Sequence, residues 1–182
     1  MRYFISQEIP PFRRVLLVES GSRYLFEHML PGLYGSHKEN ERVDLITGFP
    51  GLPKGFDTTR GEVFRVTDYI GRPARKAFYA KLVAGRYDII GIICSGEAIM
   101  TKWKWALAWQ VPAKLFILNE NGDYFFVDRG QLGTIKHFAL YRAGLSGAGG
   151  VTTLLRLALF PFTFAYLLLF AAYVHLRRIA RT

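Results

Sequence analysis

The chain has 182 residues, of which 51% are hydrophobic and 15% aromatic, and it carries a formal net charge of +10. This length suits one domain of about 130–150 residues with an appendage, and the apolar content excludes a disordered chain. The single cysteine, Cys94, excludes a disulfide framework or a cysteine zinc site within the chain.

The positive charge is concentrated toward the end of the chain. Seven of the 24 Lys and Arg residues follow Asp128, and no acidic residue follows it. A nucleic-acid-binding protein needs basic residues on a folded surface that tracks phosphates. Basic residues beside an apolar segment are instead typical of a protein that faces anionic lipid headgroups. We therefore predict a lipid bilayer as partner and no nucleic acid.

Residues 1–13 are predicted to be an extended lead-in, and residues 14–128 an α/β domain. The predicted strands are residues 15–18, 43–47, 63–66, 88–94, 114–118 and 124–127, and the predicted helices are 23–33, 73–84 and 98–110. Because strand and helix alternate, we expect a single Rossmann-like, mostly parallel sheet with right-handed crossovers. The Asn121-Gly122 pair predicts a terminal β-hairpin, which would add an antiparallel edge.

The end of the chain contains one long apolar segment. Residues 129–150 are predicted to be a basic linker, with a helix over 134–143 and a flexible Gly-rich joint over 144–150. Residues 157–174 then contain no charged side chain. At 1.5 Å per residue this segment would span about 27 Å, close to the hydrocarbon thickness of a bilayer. We predict a C-terminal transmembrane helix within residues 151–182, and a buried core helix is the alternative.

The predicted membrane helix has residues suited to lipid and to a protein partner. Arginines at its two ends would contact headgroups: Arg156, Arg177, Arg178 and Arg181. Residues along the helix would face lipid or another integral membrane subunit, with small alanines allowing close approach: Leu157, Pro161, Ala165, Tyr166, Ala171, Ala172 and Tyr173. Pro161 is expected in the first turn, where a missing N–H costs little.

Two sequence features bear on which side of the membrane the globular domain occupies. No cleavable signal is visible near residue 1, so the globular domain is expected on the cytoplasmic side, anchored by a single C-terminal pass. Both flanks of the helix are basic, so the positive-inside rule does not decide its orientation. A tilted or partly inserted helix is the alternative.

The first candidate ligand loop comprises Glu19, Ser20, Gly21, Ser22 and Arg23, between the first strand and its helix. Ligands of open α/β sheets bind at the carboxyl ends of strands, and a helix N-terminus favours anions. The serine hydroxyls and the Arg23 guanidinium could contact a phosphate or carboxylate. The alternative is that Ser20 or Ser22 simply caps the helix.

The second candidate is the segment after the fourth strand, where Glu97 could act as a base or hold a sugar hydroxyl. The alternative is a helix start, with Ser95 as cap and Glu97 in the first turn. Residues 119–123 are polar, but a hairpin turn explains them better than a calcium loop. The four histidines show no ligand spacing, so we predict no metal site and no cofactor.

Two basic helices are further candidates. The third helix contains Lys102, Trp103, Lys104, Trp105 and Trp109, which either lie on lipid headgroups or pack their Trp side onto the sheet. Both alternatives stay open. The second helix region has no acidic residue and could face phospholipid or an acidic partner, or form a solvated surface. Its basic residues are Arg72, Arg75, Lys76, Lys81 and Arg86.

Three segments together resemble a known family. Residues 14–18 (RVLLV), 43–48 (VDLITG) and 84–93 (AGRYDIIGII) resemble the N-terminal half of bacterial heptosyltransferase-type glycosyltransferases, which have two Rossmann-like domains. In that family the loop after the first strand carries a Gly-Asp pair whose Asp is the catalytic base. The loop here, ESGSRYLFE, has no such Asp, and no second nucleotide-sugar-binding domain follows.

The resemblance therefore supports the fold and weakens the case for independent catalysis. It implies a non-catalytic accessory or scaffold subunit of a bacterial membrane complex, with other integral membrane subunits as partners. The alternative is a glycosyltransferase, or its partner subunit, in cell-envelope glycan assembly. In that case a lipid or sugar-nucleotide ligand would bind over residues 19–23 and Glu97.

Overall fold

A computed structural model describes residues 3–37, 41–144 and 148–179. The strands are β1 (Arg14–Glu19), β2 (Arg42–Thr47), β3 (Val63–Arg65), β4 (Ile89–Cys94), β5 (Lys114–Asn119) and β6 (Tyr124–Phe126). They form one sheet in the order β3-β2-β1-β4-β5-β6. The first five strands are parallel, and β6 pairs antiparallel with β5. The predicted Rossmann-like sheet with a terminal hairpin is confirmed.

The described helices are α1 (Arg23–Ser36), α2 (Arg72–Ala84), α3 (Thr101–Gln110), α4 (Leu132–Arg142) and α5 (Ala148–Ile179), with short 3₁₀ turns at Val66–Asp68 and Arg129–Gln131. The predicted start of α3 at residue 98 is wrong. Gly96 and Met100 have positive φ angles of 80° and 50°, and a left-handed residue interrupts a right-handed helix. The helix therefore begins only after Met100.

The core forms because the central strands are apolar on both faces, as buried parallel strands are. Every residue of β4 is buried. Gly91 stands at the middle of β4, and a Cβ atom there would clash with the ring of Phe116 on β5. Glycine at this position thus leaves room for the large Phe116 ring. The helices α2 and α3 pack together through Phe78 and Trp103, whose ring centroids are 6.0 Å apart.

The N-terminal lead-in is tied to the sheet by a buried lysine. Lys114 of β5 is fully buried, and its Nζ donates to Asp128 Oδ2 at 2.8 Å and to the Ser6 carbonyl at 2.6 Å. The Arg129 N–H donates to the Phe4 carbonyl at 3.0 Å. Burial opposes ionisation of Asp128, but hydrogen bonds, above all from the Lys114 ammonium, hold the pKa of that carboxyl below its usual value.

The chain divides into two compact units, Met1–Thr134 and Ile135–Thr182. In the second unit, residues 152–178 form a helix long and apolar enough to cross a membrane, and none of its apolar stretch is buried. The predicted apolar C-terminal helix is confirmed in this sense.

Two details of that prediction are wrong. Residues 148–150 belong to α5 and not to a flexible joint, because an established helix gains a hydrogen bond with each residue added. Pro161 consequently lies in the helix interior and not in its first turn. The other predicted joint residues, 145–147, lie outside the described part of the chain.

Candidate functional site

The two predicted ligand segments meet at the carboxyl edge of the sheet. β1 lies between β2 and β4, so the chain leaves it on one side and later returns on the other. Ligands of open α/β sheets bind at this reversal of strand order. Ser20 Oγ donates to the Ile93 carbonyl at 2.8 Å, and Ser22 Oγ donates to Glu97 Oε1 at 2.6 Å. The loops after β1 and β4 are thus joined by side-chain hydrogen bonds.

Gly21 is required for this close approach of the two loops. A Cβ atom at this position would clash with the Ile93 Cγ2 methyl and with the Ser95 hydroxyl. Any larger residue would therefore push the β1 loop away from β4 and separate Ser22 from Glu97.

Glu19 is a fully buried carboxylate with internal partners. It accepts hydrogen bonds from Arg23 Nε at 2.6 Å, from Arg23 Nη2 at 3.4 Å and from the Thr47 hydroxyl. Thr47 Oγ1 in turn accepts from the Phe49 N–H at 2.9 Å. The hydrogen bond to Glu19 raises the pKa of Arg23 although burial opposes this. The Arg23 guanidinium is therefore already paired with a carboxylate.

Glu97 is different because its side chain is exposed. Besides Ser22, the Ser95 hydroxyl donates to its carboxylate at 3.3 Å. Ser22 occupies the N-cap position of α1 but makes no side-chain capping bond. Ser95 does not cap α3, because that helix begins at Thr101, so the capping alternative is wrong for Ser95. An exposed carboxylate between two hydroxyls can accept hydrogen bonds from a polyhydroxylated ligand.

The polar hairpin turn is a structural turn. Asn119 Oδ1 accepts hydrogen bonds from the Asn121 N–H at 3.0 Å and from the Asp123 N–H at 2.9 Å. An Asn side chain that mimics a backbone turn in this way is common at hairpins. Within the described residues, no group of three or more His, Cys, Asp or Glu side chains is arranged to hold a metal ion.

A cavity of about 530 Å³ lies between α1 and the β5–β6 hairpin. Its walls include Tyr24 and His28 of α1 and Phe116 and Tyr124 of the hairpin. The sequence showed that Tyr24 and His28 share a helix face, but nothing in it indicated that a cavity would separate this face from the hairpin. This cavity was therefore missed.

The three tryptophans of α3 occupy two environments. Trp103 packs against the rings of Phe78 and Tyr79 of α2, with centroid distances of 6.0 and 5.9 Å. Trp105 and Trp109 instead project outward and are 48% and 71% exposed. The alternative in which the helix packs its Trp side onto the sheet is thus wrong for these two residues. Lys104 lies on the buried side of α3.

The predicted membrane residues lie along α5, and those whose positions are described are exposed: Arg156, Leu157, Pro161, Ala165, Tyr166, Ala171, Ala172, Tyr173, Arg177 and Arg178. Pro161 has no N–H to donate to the Leu157 carbonyl, and a membrane helix tolerates such a gap. Arg181 lies outside the described residues.

Comparison of the chain with protein-family models, with curated proteins and with solved structures gives no match. Arguments about function therefore depend on the geometry of the described residues.

Proposed function

We propose that this protein is a membrane-anchored, non-catalytic accessory subunit of a membrane protein complex. The observation that carries the proposal is α5, because none of its apolar stretch is buried among the described residues. A soluble protein would bury such a helix in its own core. In this proposal α5 spans the bilayer and binds another integral membrane subunit.

The state of Glu19 supports a non-catalytic role. A general base needs a reachable carboxylate whose protonation can change during the reaction. Glu19 is buried and engaged by Arg23 and Thr47. In the glycosyltransferases that the sequence resembles, the base is an Asp in the loop after the first strand, and the corresponding loop here contains only Ser20, Gly21 and Ser22 before α1.

The spacing of small residues on α5 indicates where a partner helix would bind. Ala158, Ala165 and Ala172 are seven residues apart, so they lie on one face of the helix. Small side chains on a shared face let two membrane helices approach closely. We therefore assign the partner contact to this alanine face.

The test is purification of the full chain from its native membrane in a mild detergent, with a tag at residue 1, followed by mass spectrometry. We expect stoichiometric recovery of an integral membrane assembly. Ala172→Trp should abolish that recovery because the larger ring blocks the alanine face. The matched control is Leu167→Trp, which changes another face of α5 and should leave recovery intact.

The accessory role would be overturned if the chain without any substitution were recovered alone from freshly prepared membranes. Equal loss in Ala172→Trp and Leu167→Trp would contradict the alanine face, because it would show a general effect of tryptophan on the helix.

A second candidate function is favoured by Glu97. Its exposed carboxylate lies at the reversal of strand order, between the Ser22 and Ser95 hydroxyls. Under this alternative the protein is a glycosyltransferase, or its partner subunit, in cell-envelope glycan assembly, and Glu97 holds a sugar hydroxyl. The test is thermal unfolding of the purified full chain with sugar nucleotides. A rise in Tm that Glu97→Gln removes would favour this candidate over the accessory role, whereas no rise in Tm would argue against it.

A further inference from the structure

One side of α3 combines exposed indole rings with a positive charge. Lys102, Trp105 and Trp109 stand at positions i, i+3 and i+7, so they share one face of the helix. All three are exposed, whereas Leu107 and Ala108 on the other side are buried. Trp109 is 71% exposed, which leaves a large apolar ring without cover from the described chain. Such a ring is expected to find an apolar or interfacial environment.

The adjacent side of α2 extends this surface with further positive charge. Arg72, Lys76 and Val83 are spaced by four and seven residues and are exposed, opposite the buried Phe78 and Leu82. The two helices lie on the same side of the sheet, since right-handed crossovers place both connections there. They contact each other through Trp103, whose ring lies 5.2 Å from the Arg75 guanidinium carbon.

We name this surface the α2–α3 face and define it by six residues: Arg72, Lys76, Val83, Lys102, Trp105 and Trp109. Within the described part of the chain, no carboxylate lies at ion-pair distance from Arg72, Lys76 or Lys102. Other basic residues are paired, such as Arg42 with Asp44 and Lys81 with Glu62. The α2–α3 face is therefore a local excess of positive charge.

Indole rings among lysines and arginines are the composition of a surface that lies at a membrane interface. The rings prefer the headgroup level, where their apolar bodies leave water and their N–H groups remain hydrated. The cations favour anionic headgroups over zwitterionic ones. A helix that spans the bilayer in the same chain would keep this face at high local concentration near lipid.

We propose that the α2–α3 face docks on the anionic headgroups of the bilayer in which α5 is anchored. The proposal rests on the membrane anchoring in the proposed function, but it does not require the accessory role. It assigns a second, reversible membrane contact to the Rossmann-like unit, which positions that unit against the lipid surface.

The chain itself supplies the probe for this contact. Its three tryptophans are Trp103, Trp105 and Trp109, and all of them lie on α3. Intrinsic Trp fluorescence of the full chain therefore reports on α3 and not on α5. The experiment reconstitutes the full chain into vesicles of phosphatidylcholine, with or without phosphatidylglycerol, and includes lipids brominated near the headgroup as quenchers.

We expect a blue shift and strong quenching in vesicles that contain phosphatidylglycerol, and weak quenching in phosphatidylcholine alone. Replacing both exposed rings, Trp105→Phe and Trp109→Phe, should remove most of the quenching. Trp103→Phe is the matched control and should retain it, because Trp103 packs against α2. Emission that is identical in the two vesicle types and not quenched by brominated lipid would overturn the proposal.

Two triple variants that remove the same number of positive charges distinguish an effect of the α2–α3 face from an effect of net charge. The triple variant Arg72→Gln, Lys76→Gln and Lys102→Gln should lose the dependence on phosphatidylglycerol. A control triple at other exposed basic positions, Lys54→Gln, Arg65→Gln and Arg129→Gln, should keep it. Equal loss in both triples would contradict a specific face, because it would show attraction by net charge alone.

Anchoring is measured separately, as resistance of the vesicle-bound chain to extraction at high pH. A chain that is extracted and yet floats only with phosphatidylglycerol vesicles would contradict anchoring by α5 and still support the α2–α3 face. A blue shift that appears only in a co-purified complex, and not in vesicles, would assign the face to an acidic protein partner and overturn lipid docking.

Discussion

Strand β4 and residues 157–174 of helix α5 are both uncharged and apolar, but their side chains meet opposite environments. Every residue of β4 is buried by neighbouring strands and helices. The apolar stretch of α5 has no buried residue. Hydrophobic composition alone therefore does not distinguish a core element from a helix that is apolar enough to cross a membrane. Burial among the described residues does distinguish them, and so does length, because a strand of six residues is too short to span a bilayer as a helix.

Charged side chains also differ between the first unit and the apolar stretch of α5. In the first unit, three fully buried charged side chains have ion-pair partners: Lys114 with Asp128, Asp44 with Arg42, and Glu19 with Arg23. Along residues 157–174 of α5 there is no charge to pair. The first unit thus compensates these buried charges internally, whereas the exposed apolar stretch of α5 contains no charge.

The largest expected effect, loss of the folded first unit, comes from placing an arginine in β4, and the same substitution in α5 is its counterpart. Ile90→Arg puts an unpaired charge into fully buried β4, and we expect the first unit not to fold, because no partner can compensate that charge. Leu168→Arg puts the same charge into the middle of α5. It should raise the free energy of membrane insertion by about 3–4 kcal/mol, the difference between Arg and Leu at the helix centre, and leave the first unit folded.

The measurements are proteolysis resistance of the first unit and the alkali-resistant membrane fraction of the chain. Ile90→Val and Leu168→Phe are the controls, and both should behave as the native chain. A Leu168→Arg chain that unfolds, or that stays fully membrane-embedded, would contradict the division between the two segments.

Most of the fold could be predicted from local patterns in the sequence. Continuous apolar runs bounded by Gly, Pro and polar residues predicted the strands, and their alternation with helices predicted the parallel sheet. At the start of α3, where the prediction was wrong, backbone conformation was responsible. The positive φ of Met100 delays α3, and a left-handed methionine has no signature in the sequence.

The candidate site was less predictable because its properties are tertiary. That Glu19 lies at the end of one strand and Glu97 follows another strand at the same edge of the sheet could be inferred from the predicted topology. That Glu19 would be buried with Arg23 and Thr47, while Glu97 would be exposed beside Ser22, depends on side-chain contacts between distant segments. The outward direction of Trp105 and Trp109 was likewise undecided by their spacing, since spacing gives a shared face but not its orientation.

An effect smaller than that of Ile90→Arg is expected from breaking the buried pair in the first unit. Asp128→Ala leaves the Lys114 ammonium buried without its carboxylate, and this should lower the free energy of unfolding by about 3–5 kcal/mol. The remaining hydrogen bond to the Ser6 carbonyl favours the lower end of that range. Urea unfolding of the full chain, followed by Trp fluorescence, measures the change, and exposed Asp123→Ala is the matched control.

The same pair predicts a pH dependence. Because the folded pKa of Asp128 is lowered, its contribution is complete above the unfolded pKa of about 3.9. It is lost as the pH falls through the still lower folded pKa. The free energy of unfolding should therefore decline in acid less steeply for Asp128→Ala than for the native chain. Parallel acid profiles for both proteins would show that the pair does not contribute to stability.

The smallest effect is expected in the buried hydrogen-bond network around Asp44. Removing one donor there still leaves the carboxylate with other hydrogen-bond partners. Asp44 is fully buried and accepts hydrogen bonds from Arg42 Nε at 2.8 Å, from the Glu62 N–H at 2.7 Å and from the Tyr87 hydroxyl. Tyr87→Phe removes only the last of these donors. Since a hydrogen bond to a charged group contributes about 1.5–3 kcal/mol, we expect a loss of about 1.5 kcal/mol in the free energy of unfolding.

This contribution has the opposite pH sign from that of Asp128. Burial and donation to Asp44 raise the pKa of Tyr87 far above its usual value, so the stabilisation is complete below an unfolded pKa of about 10. It declines as the pH rises from there toward the folded pKa. Tyr69→Phe is the control, because it keeps the stacking of that ring on Phe78 at 3.9 Å and should leave stability unchanged. A difference between Tyr87→Phe and the native chain that persists undiminished above pH 10 would contradict the hydroxyl as its source and point to altered packing of the ring.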